Sequence, residues 1–94
     1  MNINEEIIFP EVYEDIEVDI NERFSIKICR DEEGYFSDLL DYNKKTQIPI
    51  VYQENGGIYF NEERRRMTEE ELRKLIEEIR KDFEYVLDEL KEVI

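Results

Sequence analysis

The sequence predicts an α+β domain: an antiparallel sheet of four to five strands, made from two hairpins, packed against one long C-terminal helix. Three observations carry this prediction. Apolar residues recur with a period of two between positions 16 and 60, glycine-containing turns interrupt that pattern, and from position 68 the period becomes that of an amphipathic helix. Ninety-four residues support one core, because a chain of this length buries only about 60–70% of its unfolded surface. Residues 1–94 therefore read as a single domain, with an acidic arm or edge strand over 1–22, a sheet over 23–61 and a helix over 68–93.

The arm contains eight carboxylates and no Lys or Arg. Of the net charge of −13, −8 lies in residues 1–22, none in 23–67 and −5 in 68–94. Residues 16–20 (Ile-Glu-Val-Asp-Ile) alternate apolar and acidic, and Phe24, Ile26 and Ile28 resume the same period after a polar break, which predicts two strands. Asp31-Glu32-Glu33-Gly34 reads as a turn that places its glycine in a left-handed conformation and leads into 35–42, an antiparallel partner for 24–30. In 47–53, Ile48, Ile50 and Tyr52 share a face, and Pro49, which has no amide donor, argues for an edge position. The Asn-Gly pair in Glu54-Asn55-Gly56-Gly57 suits a type I′ turn joining that strand to Ile58, Tyr59 and Phe60.

Thr68 and Glu71 have the spacing of a capping box, with Met67 and Leu72 at the staple positions and Glu69 and Glu70 at the positive end of the helix dipole. Beyond them Leu72, Ile76, Ile79, Phe83, Val86, Leu90 and Val93 follow spacings of four and three, and no Gly or Pro intervenes. Twenty-six helical residues reach about 39 Å, whereas a six-residue strand covers about 20 Å. The helix is therefore expected to overhang its sheet. Its second half (Phe83, Val86, Leu87, Leu90, Val93, Ile94) then needs cover, either from the arm through Ile7, Ile8, Phe9, Val12 and Tyr13 or from a second chain in a homodimer.

Composition removes many functions. The chain has no His, so His-based proton transfer, Ser-His and Cys-His nucleophiles and the common zinc sets are excluded, and with 26 acids a pair of neighbouring carboxylates is undiagnostic. No calcium-loop pattern is met by Asp31-Glu32-Glu33-Gly34 or by Asp38-Leu39-Leu40-Asp41. The expectation is a protein that is not an enzyme and has no catalytic residue, cofactor or metal. Cys29 is the single cysteine, and its expected role is a half-buried strand residue rather than a reactive thiol. Seven aromatics fall in the proposed sheet, but the basic surround and the glycine-aromatic pattern of RNA-binding sheets are missing. The N-terminus lacks a basic region followed by an apolar run, and no apolar stretch approaches membrane-spanning length, so a cytoplasmic protein is expected.

An excess of carboxylates disfavours direct nucleic-acid binding and anionic membranes and favours a basic protein surface as partner. In a strand over 15–21, Asp15, Glu17 and Asp19 project from one face at about 6.6 Å intervals while Ile16, Val18 and Ile20 project from the other. Glu11, Glu14 and Glu22 flank them. These six acids are the candidate partner-binding residues. The expected function is a small acidic binding protein, with a nucleic-acid-mimicking inhibitor from a mobile genetic element as its narrower form. Duplex DNA presents a charge about every 1.7 Å, so one such strand alone is too sparse for mimicry. The alternative is a structural or assembly protein that self-associates through the C-terminal helix. Arg64, Arg65 and Arg66 form the one basic cluster, placed where the helix dipole disfavours it, and they are expected to pair with Glu62, Glu63 or the acidic arm.

Overall fold

A computed structural model describes residues 7–53, 57–60 and 64–89. Five strands, β1 (Asp15–Asp19), β2 (Phe24–Asp31), β3 (Gly34–Asp41), β4 (Thr46–Gln53) and β5 (Gly57–Phe60), form one antiparallel sheet in the order β1-β2-β3-β4-β5. Each strand pairs with its chain neighbour, so the sheet is a meander. Two helices follow, α1 (Glu69–Lys81) and α2 (Phe83–Glu89).

The register sorts the side chains. Ile16 lies opposite Ile28, Val18 opposite Ile26, Ile26 opposite Leu39, and Leu39 opposite Ile48, which places these residues on one face. That face is closed by Leu72, Leu75, Ile76 and Ile79 of α1 in a single buried cluster. Asp15, Glu17 and Asp19 of β1, Lys27 and Cys29 of β2, and Phe36 and Asp38 of β3 fall on the other face.

Local chemistry fixes the joints. Asp31 pairs with Gly34 across a two-residue turn, and its carboxylate accepts from the Glu33 amide at 2.9 Å. Gly34 has φ +137°, and a Cβ there would lie 2.7 Å from the Met67 carbonyl, so glycine is required twice over. Met67 forms a bridge with Tyr35, each amide donating to the other's carbonyl at 3.0 and 2.6 Å. This contact ties the segment before α1 to the sheet.

The start of α1 forms as the sequence predicts. The Glu71 amide donates to the Thr68 hydroxyl at 3.1 Å, the Thr68 amide donates to the Glu71 carboxylate at 2.9 Å, and Met67 and Leu72 are buried. The remainder differs from the expected single helix over 68–93. At Asp82 the backbone is extended (φ −161°, ψ 91°), and α2 starts afresh with the Asp82 carboxylate accepting from the Tyr85 amide at 3.2 Å. The break turns Phe83, Val86 and Leu87 towards the core. Phe83 meets Phe24 edge-on at 5.3 Å, Val86 is buried, and Leu87 is half-buried against the cluster.

Two further expectations change, and a third lies outside the described residues. The arm covers α1 rather than the second half of the helix: Phe9 packs edge-on against Tyr35 at 5.7 Å and beneath the Arg73 guanidinium at 4.7 Å, whereas Ile8 and Tyr13 are 84% and 72% exposed. Pro49, expected at an edge, belongs to the interior strand β4, where it lies opposite Asp38 of β3; on the β5 side the described pairing ends at Ile50 and Phe60. The second hairpin pairs Gln53 with Gly57, whose φ is +72°, leaving a three-residue connection; the type I′ turn at Asn55-Gly56 lies outside the described residues. Leu90, Val93 and Ile94 lie outside them too. No helix among the described residues is long and apolar enough to cross a membrane.

Candidate functional site

β1 is an edge strand with strict alternation. Ile16 and Val18 pack against the core, and Asp15, Glu17 and Asp19 are exposed in a row on the face that carries no helix. Opposite them on β2 stand Cys29, Lys27 and Ser25. The Ser25 hydroxyl donates to Asp19 Oδ1 at 3.0 Å, and the Tyr42 hydroxyl donates to the Glu17 carboxylate, a bond that raises the Tyr42 phenol above its ordinary range. Both donors are neutral. They orient two of the three carboxylates without cancelling charge.

The flanking acids occupy the two ends of the row and do not extend it. Glu11 and Glu14 close a turn before β1, with the Glu11 amide donating to Glu14 Oε1 at 3.1 Å and the Glu14 amide to the Glu11 carbonyl at 3.0 Å. Pairing with β2 continues there, since the Tyr13 amide donates to the Arg30 carbonyl at 2.7 Å. Glu22 lies exposed in the β1–β2 turn, where Asn21 accepts from the Arg23 and Phe24 amides at 2.8 and 2.9 Å. The ion pairs among the described residues are Arg23–Asp41, Arg64–Asp38, Arg66–Asp31 and Arg73–Glu69, and none uses any of the six candidate acids.

Among the described residues the arginine triplet bonds to the sheet and not to the acidic arm. Arg64 Nη1 donates to both oxygens of the buried Asp38 at 2.6 and 2.7 Å, and Arg66 Nε donates to Asp31 Oδ2 at 2.7 Å. Both guanidiniums lie over the Phe36 ring, at 5.7 and 4.3 Å from its centre. Arg65 alternates outward and donates to the Tyr59 hydroxyl at 3.1 Å. The partners of Arg64 and Arg66 come from β3 and β2, far away in sequence, whereas Tyr59 of β5 is six residues from Arg65. The one local signal was the period of two shared by Arg64 and Arg66. Glu62 and Glu63 lie outside the described residues.

Arg66 holds the Asp31 carboxyl below the ordinary carboxylate range, and Arg23, bonded to Asp41 at 2.9 and 2.8 Å, does the same for Asp41. A general acid at neutral pH needs the opposite shift. Burial pushes the Cys29 thiol up, with Lys27 opposing, so the thiol form dominates at neutral pH. No group of three or more metal-ligating side chains occurs among the described residues. A cleft of about 310 Å³ between the arm and α1, lined by Ile7, Phe9, Arg73, Ile76, Glu77 and Arg80, lies on the helix side of the sheet, away from the acidic row.

No family model matches the chain, and no curated protein or solved structure matches it at a significant level.

Proposed function

We propose that this chain is a non-enzymatic binding protein whose edge strand β1 engages a basic protein surface through Asp15, Glu17 and Asp19. One observation carries the reading: these three carboxylates are exposed in a row, anchored from behind by Ile16 and Val18, and free of cationic partners among the described ion pairs. An edge strand also offers backbone donors and acceptors to an incoming extended segment. Charge selects which segment. Two copies pairing β1 to β1 would set three carboxylates against three on the same face, whereas a segment with Lys or Arg at alternate positions would pair each of them. Blocking a nucleic-acid-binding protein by mimicry is the narrower form of this reading, and it draws less support, because Glu11, Glu14 and Glu22 sit in the turns at the ends of the row and do not extend it. Assembly through an apolar helix face left open on the folded monomer draws less support, because Phe83 and Val86 are packed within one chain.

The test replaces Asp15, Glu17 and Asp19 by Asn, Gln and Asn, and compares capture from native extract at about 50 and 500 mM salt, a range over which the Debye length falls severalfold. The native chain should retain a basic protein at low salt and release it at high salt, and the variant should lose it at both. Capture of the same protein by the variant would refute the assignment to β1.

A further inference from the structure

The spacing of Leu72, Ile76, Ile79, Phe83 and Val86 runs through Asp82 without interruption, although the backbone breaks there and no Gly or Pro forces it. The break removes few backbone bonds. The Asp82 amide still donates to the Glu78 carbonyl at 3.1 Å, and the Val86 amide to the Asp82 carbonyl at 3.3 Å. A continuous helix would add bonds from the Phe83, Glu84 and Tyr85 amides to the carbonyls of Ile79, Arg80 and Lys81. The Asp82 carboxylate already substitutes for the last of these through the Tyr85 amide. The bend is held on the other side by burial, with Phe83 on Phe24, Val86 enclosed and Leu87 half-covered.

Straightening the chain at Asp82 restores the helical bonds and uncovers those apolar side chains. A second copy opened in the same way presents the same vacated surface. The packing given up within each chain can then re-form between chains, which is the condition for exchange of an identical element.

We propose that Asp82 is a hinge through which two copies of this chain exchange α2, with residues 69–89 of each becoming one helix of about 31 Å. The occupant of each vacated site is the α2 of the second copy. Since the chain carries a net charge of −13, screening favours the exchanged dimer. Salt thus acts on this association opposite to its effect on a basic partner at β1, and failure of either proposal leaves the other standing.

The experiment measures the mass of the full chain by size-exclusion chromatography with light scattering, over a range of concentrations at low and high salt. Asp82→Ala removes the cap that supports the bend in both copies and should tighten dimerisation about 30-fold, whereas Asp82→Asn keeps a capping oxygen and should match the native chain. Glu84→Pro is tolerated in the first turn of α2 but forbids the continuous helix, so the dimer should disappear. Amide hydrogen exchange at Phe83, Glu84 and Tyr85 should slow in the dimer. An Asp82→Ala chain that stays monomeric, a Glu84→Pro chain that dimerises like the native one, or a dimer whose three amides exchange as fast as the monomer's would each overturn the hinge.

Discussion

Replacing Gly34 by Ala isolates the contact that joins the sheet to the segment leading into α1. The magnitude has two parts. An L-residue held at φ +137° is strained by about 1–3 kcal/mol. The new Cβ also comes within 2.7 Å of the Met67 carbonyl, a backbone atom that cannot swing aside. Relieving that clash displaces Met67 and weakens its two hydrogen bonds with Tyr35, each worth about 1 kcal/mol. The sum is about 3–4 kcal/mol. For a domain of this size that corresponds to a fall in Tm of roughly 15–25 °C. Gly57→Ala is the control, since φ there is +72° but no atom lies within 4 Å of the added carbon, so strain acts alone and the loss should be about 1 kcal/mol. Urea unfolding followed by circular dichroism, with a thermal scan alongside, measures both. Equal losses in the two variants, or a loss below about 1 kcal/mol for Gly34→Ala, would refute the claim that the Met67 contact is what the glycine protects.

Two other outcomes follow from the ion pairs. Arg64→Ala leaves the buried Asp38 carboxylate, among the described residues, with the Gln47 amide as its hydrogen-bond donor and should destabilise the fold by about 2 kcal/mol, while Arg65→Ala should cost about 0.5 kcal/mol or less; similar losses would show that the pairing with Asp38 is not decisive. The lowered carboxyls of Asp41 and Asp31 set the pH dependence: above the unfolded value near 3.9 both states are ionised and the stabilisation is fully present, and as the pH falls through the lower folded values it is lost. Asp41→Asn should therefore be less stable than the native chain at pH 7, with the gap in urea midpoint closing towards pH 3, and a gap independent of pH would contradict the Arg23 contact as its source.

The strands were legible because each presents one face to the core, so the period of two in Ile16, Val18, Ile26 and Ile28 states both their structure and their orientation. The same alternation is enough to put Asp15, Glu17 and Asp19 in a single exposed row. The helix start was legible because its capping groups are three residues apart and meet locally. The helix break was not. At Asp82 the side-chain pattern is that of an unbroken helix, and the outcome is decided by the fit of Phe83 and Val86 against a sheet formed elsewhere in the chain. The partners of Arg64 and Arg66 were hidden for a related reason, since Asp38 and Asp31 come within reach only once β2, β3 and the bridge at Met67 are assembled.

The meander has a consequence for how the chain acquires its structure. With every strand hydrogen-bonded to the next in sequence, each step in building the sheet closes a short loop, and loop-closure entropy stays small throughout. The bridge from Met67 back to Tyr35 is the exception, because it spans β4 and β5 and gains nothing until β3 exists. The sheet is thus free to form first as a local zipper, and the arginines over Phe36 arrive afterwards as the clasp that closes it.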